Sequence, residues 1–148
     1  MPIVVEAKTE EDYAKWVALQ RGETIKAANE AQAVVPPMGK EELMKNGQAL
    51  YNSRCSVCHQ PTGVGQPPVF PALVGSKITT GDVNEHIDTV LNGRPGTAMQ
   101  AFAPQYNDKD LAAIITYERN AWGNDNQGKF GKAAGGLVQP KDIAARRK

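Results

Sequence analysis

The chain has 148 residues, of which 41% are hydrophobic and 22% charged, ordinary proportions for one globular domain with a modest core. Its longest apolar runs, such as Ala112 to Ile115, are too short to span a bilayer, and Met1 to Ala7 has neither the basic start nor the apolar stretch of a secretory signal. We therefore expect either an intracellular chain or a fragment of a longer one. Net charge is +1, but residues 122–148 hold six Lys/Arg against two Asp/Glu with no aromatic-rich basic patch, which gives no support to a nucleic-acid role and reads as a solvated tail.

In chain order, Glu10 to Gln32 reads as a helix. Tyr13, Trp16 and Val17 lie near helical spacing, Thr9 is placed to cap, and Glu10, Glu11 and Asp12 favour the first turn. Pro36-Pro37 and Gly39 end it and mark a linker. A second helix is expected from Lys40 to about Ser53, with Leu43, Gly47, Leu50 and Tyr51 on one face. Gln60 to Ser76 contains four prolines and three glycines and reads as an irregular loop that wraps something. A short helix, Gly81 to Leu91, buries Val83, Ile87, Val90 and Leu91, and Asn92 to Gln105 is again rich in Gly and Pro. Asn107 or Asp108 caps the most periodic element, which runs to about Ala121 with Leu111, Ile114, Ile115 and Trp122 on its buried side. Past Gly123 order is expected to fade, apart from one weak terminal helix over Gln139 to Arg147. No strand pattern of useful length is present, so the fold class is all-α.

The chemistry lies in Cys55-Ser56-Val57-Cys58-His59, which holds the only two cysteines of the chain. Two thiols at this spacing on one helical turn reach the vinyl groups of a porphyrin, and the following imidazole then points at the iron. The expected cofactor is one covalent haem c, with His59 as proximal ligand. A thioredoxin-like dithiol needs a strand-helix setting that is missing here, and a zinc site finds a further nitrogen only in His86. The second axial position decides between electron transfer and chemistry on a bound ligand. Met38, Met44, Met99 and His86 are the candidates. Met38 lies in the linker, Met44 on the helix before the motif, and His86 reads as a surface residue. Met99 follows Arg94-Pro95-Gly96-Thr97-Ala98 in a loop long enough to return over the other haem face.

Over Lys40 to Ala121 these residues resemble the class I cytochromes c, a fold of a few helices wrapped around one covalent haem. The matching patterns are Cys55-x-x-Cys58-His59, Pro71-x-Leu73-x-Gly75 and Pro95-Gly96-Thr97-x-Met99. The resemblance implies Met99 as the second axial ligand and a Pro71 carbonyl that accepts the Nδ1 proton of His59. It also implies that Gly47 and Tyr51 lie where the last helix crosses the first, near Ile114 and Tyr117. Arg94 is a candidate partner for a haem propionate, and Trp122 is expected to pack on the last helix. A gas sensor or peroxidase would need an open iron site and a distal acid or base, and none is apparent.

A second resemblance covers nearly the whole chain. Met1 to Ala7 with Tyr13 and Trp16 looks like the end of the copper-binding domain of cytochrome c oxidase subunit II, and Leu111 to Asn124 and Val138-Gln139-Pro140 are similar to cytochrome domains fused to that subunit in bacterial haem-copper oxidases. It implies the end of a copper domain at 1–9, a helical linker at 10–39, a cytochrome c domain at 40–122 and a flexible basic tail at 123–148. The residues that complete a binuclear copper site are absent, so the chain reads as a C-terminal fragment. The implied function is single-electron transfer from a cytochrome c or cytochrome bc complex to the oxidase copper, on the periplasmic face of the inner membrane. A free-standing shuttle cytochrome is the alternative. Residues 40–121 carry seven Lys/Arg against eight Asp/Glu, so docking is expected to be apolar, through Val64 to Phe70 and Ala98 to Ala103, and weakly steered by charge.

Overall fold

A computed structural model describes Thr9, Tyr13, Trp16 and residues 37–147. The chain is helical at Tyr13 and Trp16, whose rings stack at 6.0 Å, and the Tyr13 amide donates to the Thr9 carbonyl at 2.9 Å. The rest of the expected linker helix, and residues 1–8 of the expected copper-domain end, lie outside the described residues.

Helix α1, Lys40–Leu50, starts at Gly39 with Glu41 and Glu42 in its first turn. It does not stop near Ser53 as expected. The chain continues through a π-helical turn, Tyr51–Cys55, into α2, Ser56–His59, so one helical rod delivers the whole Cys-His segment. Ser76 caps a short α3, Lys77–Thr80, and Asp82 caps α4, Val83–Asn92, by accepting from the amides of Asn84 and Glu85. Asn107 caps α5, Asp108–Asn120, through the Asp110 amide at 2.9 Å. A 3-10 turn, Ala121–Gly123, and two short helices, α6 at Gln127–Phe130 and α7 at Pro140–Ala144, complete the described chain. The single β feature among the described residues is an isolated bridge between Gln66 and Phe70.

Helices α1 and α5 form the centre. A Cβ on Gly47 would stand 2.1 Å from the Ala113 carbonyl oxygen and 2.7 Å from Tyr117 Cβ, so the two backbones touch at the glycine. The crossing partner is thus Ala113 together with Tyr117, one residue before the expected Ile114. The main apolar cluster gathers Leu43, Ile87, Leu91, Leu111, Ile115, Val138 and Ile143. A smaller one holds Tyr51, Tyr117 and Ala121, with Trp122 packed edge-on to Tyr51 and Tyr117 at centroid distances of 5.1 and 5.4 Å.

The C-terminal segment is not the flexible tail its composition suggested. Val138 and Ile143 are buried in the main cluster, and Asp142 accepts from the Gln139 amide at 2.8 Å to cap α7 behind Pro140. The Gln139 side chain bonds both backbone groups of Met38, so the two ends of the described domain are joined. Composition misled because Arg146 bonds Asp88 of α4, Arg147 bonds Asp108 of α5, and the carbonyls of Gly135 and Gly136 accept from Arg119 and Asn120 of α5.

Candidate haem-binding site

The π-helical turn widens the rod by one residue just before the first cysteine, and an inserted residue turns all that follows by about 100°. Cys55 thereby borders both apolar clusters, Cys58 is half-buried, and His59 ends α2 with its ring almost covered. The Nδ1–H of His59 donates to the Pro71 carbonyl at 2.9 Å, which leaves Nε2 with its lone pair. Two further bonds bring the loop back: the Gly65 amide donates to the His59 carbonyl at 2.9 Å, and the Leu73 amide to the Gly63 carbonyl at 2.7 Å. A Cβ on Gly65 would lie 2.4 Å from the Phe70 carbonyl oxygen and 2.6 Å from that of Pro71, so glycine is what lets the loop close on the histidine. On the other side, the Tyr51 hydroxyl donates to the Gln60 carbonyl at 2.7 Å and holds the turn after the motif.

Met99 is half-buried and packs against the same cluster that Cys55 borders. Its amide bonds Thr97 Oγ1 and its carbonyl accepts from the Arg94 amide at 2.9 Å, so the loop is internally braced. Arg94 extends outward to within 3.8 Å of Glu85, an exposed pair. Of the other axial candidates, Met38 is buried beside Gln139 and Met44 packs against the Tyr51 cluster. His86 corrects the sequence reading most clearly. It is 2% exposed, and its Nε2 donates to Glu118 Oε2 at 2.8 Å, while Nδ1 has no partner.

These observations separate haem from its rivals. Burial, and after it Glu118, push the Cys55 thiol up, the opposite of the lowered value a redox dithiol needs. Among the described residues no group of three or more His, Cys, Asp or Glu is placed to hold a metal ion, which leaves zinc without a ligand set. Two cysteines one turn apart, beside an imidazole whose Nδ1 is already used, fit a covalent haem. Cys55 and Cys58 would hold its edge, and His59 would face the iron.

A family of cytochrome c domains, described as cytochrome c oxidase, cbb3-type, subunit III, matches residues 42–117. The chain belongs to that family. It is an all-α electron-transfer domain of class I cytochrome c fold with one covalent haem c. Its relatives include cytochrome c55X of Paracoccus denitrificans, 30% identical over 61% of this chain and 82% of that protein. The cytochrome c subunit of alcohol dehydrogenase (quinone) from Gluconobacter oxydans is 27% identical over 55% of this chain and 19% of that protein. Dihydro-heme d1 dehydrogenase of Pseudomonas aeruginosa is 29% identical over 66% of this chain and 20% of that protein. The cytochrome c domain thus spans about a fifth of the length of the latter two relatives.

Two residues that shape the site of this cytochrome c domain lie outside its haem motifs. Asn124, fully buried, accepts from the Gly75 amide at 2.7 Å and donates to the carbonyls of Leu73 and Glu118, tying the Pro71–Gly75 segment to the end of α5. Trp122, with a left-handed backbone (φ 56°), lies against Gly63. Asn124 closes the run Leu111 to Asn124 that resembles the fused cytochrome domains, yet it also fell in the stretch read as tail, and neither reading gave it a role.

Proposed function

We propose that this domain takes single electrons from a cytochrome c or a cytochrome bc complex and passes them to the binuclear copper of a bacterial cytochrome c oxidase, at the periplasmic face of the inner membrane. Cys55 and Cys58 would carry the thioether links, His59 Nε2 and the Met99 thioether would hold the iron from its two sides, and Arg94 would meet a propionate. Bound haem supplies reversible one-electron chemistry at its iron. The chain holds the ligands still and keeps other molecules off the metal. The 2.9 Å bond from His59 Nδ1 to Pro71 carries the relay reading, because a ring fixed in this way would need no reorientation when the iron changes charge.

The oxidase destination is supported by the likeness of Met1 to Ala7, Tyr13, Trp16 and Leu111 to Asn124 to cytochrome domains fused to subunit II. Stopped-flow mixing of the reduced holoprotein with a copper-loaded subunit II domain tests it: prompt reoxidation is expected, and its absence overturns the destination. A second reading, service to a dehydrogenase, is favoured by the alcohol and gluconate dehydrogenase cytochrome subunits among the relatives. It predicts fast reduction by such an enzyme and no transfer to the copper domain. Exposed Val57, Val64 and Val69 and the near-neutral charge of residues 40–121 support apolar docking, so the transfer rate should fall little between low and physiological salt.

A further inference from the structure

The loop that presents Met99 leaves α4 at Gly93 and reaches α5 at Asn107. Residues Arg94 to Ala98 are exposed. The loop is attached again further on, where the amides of Phe102 and Ala103 donate to the carbonyls of Val90 and Leu91 at 3.1 and 3.2 Å. A third attachment comes from the far end of the chain. Arg147, just past α7, places each of its three guanidinium nitrogens on a different acceptor. Nε donates to Asp108 Oδ1 at 2.8 Å, Nη1 to the Ala103 carbonyl at 2.5 Å and Nη2 to the Tyr106 carbonyl at 2.9 Å. Its side chain is 18% exposed and that of Asp108 is 4% exposed, so water competes poorly for these bonds. The neighbouring Arg146 makes an equally direct ion pair, but both of its side-chain hydrogen bonds go to Asp88 on α4.

From this geometry we propose that Arg147 is a positioning residue for Met99, locking the downstream half of its loop to the start of α5 so that the thioether stays in place. The inference rests on the reading of Met99 as axial ligand. Its physical basis is the guanidinium fork, whose fixed plane satisfies two carbonyls and a carboxylate at once. A lysine keeps the charge near Asp108 but cannot fill all three positions. Without the clamp the Ala103 and Tyr106 carbonyls lose a charged donor, and the loop opens more often while the α1–α5 core stays closed.

Imidazole added to the ferric holoprotein reads this opening, because it binds only where Met99 has left the iron, and its apparent affinity rises with the open fraction. Relative to the unsubstituted protein, Arg147→Ala should bind imidazole about tenfold more tightly, the change expected for one or two buried charged hydrogen bonds. Arg147→Lys should fall between the two, and Arg146→Ala should stay within about twofold. The weak far-red absorption band of sulfur-ligated ferric iron should fade at correspondingly lower imidazole concentration, well below any denaturant-induced unfolding. Met99→Ala should lack the band, and adding Arg147→Ala to it should change imidazole affinity no further. Survival of the band in Met99→Ala overturns the axial reading itself. Loss of the band there, with Arg147→Ala and Arg147→Lys behaving like Arg146→Ala, overturns the clamp alone. If Arg147→Ala does not fold, Arg147→Lys decides the matter by the same comparison.

Discussion

Two surfaces of α5 are held in opposite ways. Toward α1 the contact is backbone-close at its centre: Gly47 meets the Ala113 carbonyl and the Cβ of Tyr117, and the Lys109–Glu42 ion pair that crosses the same two helices at 3.3 Å is exposed. On another face the C-terminal segment is stitched on by polar side chains. Arg119 donates to the carbonyls of Gly135, Gly81 and Ala133. Asn120 donates to Gly136, while Thr116 Oγ1 both donates to the Val138 carbonyl and accepts from its amide. With one face against α1 and another under the C-terminal segment, every residue from Leu111 to Arg119 is buried, polar ones included. Shape complementarity secures the first contact, and directional bonds secure the second. The first should fail by steric overlap and all at once, the second locally.

Gly47→Ala tests the first surface and should have the largest effect. Helix propensity alone would favour alanine by about 1 kcal/mol. The 2.1 Å approach to a backbone oxygen must win, so a net loss of about 4 kcal/mol is expected in denaturant unfolding, with little difference between α1 and α5. Arg119→Met tests the second. It strips three carbonyls of their donor at a 3% exposed site and should cost about 3 kcal/mol. Amide exchange should quicken first over residues 133–138 while α1 stays protected; uniform loss of protection would show that the two surfaces fail together.

His86→Leu, at the buried pair between α4 and α5, should cost about 2 kcal/mol, because the Glu118 carboxylate loses its 2.8 Å donor. Replacing both His86 and Glu118 by leucine should recover part of that loss. A double variant worse than the sum of the singles would show that the pair is not the unit.

The smallest effect is at Asp110, whose carboxyl burial raises above its ordinary 3.8, against the opposing pull of Lys109 and of the Asn107 hydrogen bond. The folded state therefore holds this proton more tightly than the unfolded chain does. Its ionised form costs stability above the folded value, and that cost fades as pH falls through it and is gone below 3.8. Asp110→Asn should raise the unfolding midpoint slightly at pH 7, by less than about 1 kcal/mol, and leave it unchanged near pH 3. A gain that persisted near pH 3 would point to packing instead.

The cofactor and the helices were legible in the sequence by itself because both are local. A Cys-x-x-Cys-His turn needs five neighbouring residues, and the cap at Asn107 and the apolar periods of α4 and α5 are read within a turn or two, although the cap of α4 at Asp82 was not. The partner of Gly47 was legible to within one residue by family likeness. What only the tertiary structure decided depends on residues far apart in the chain. His86 reads as a surface histidine until Glu118, 32 positions later, is packed against it. The segment after Gly123 reads as a tail until Arg119, Gln139 and Arg147 find carbonyls and carboxylates that no local pattern announces. Charged and amide side chains have the same composition whether they meet water or a buried acceptor, and only the fold brings the acceptor.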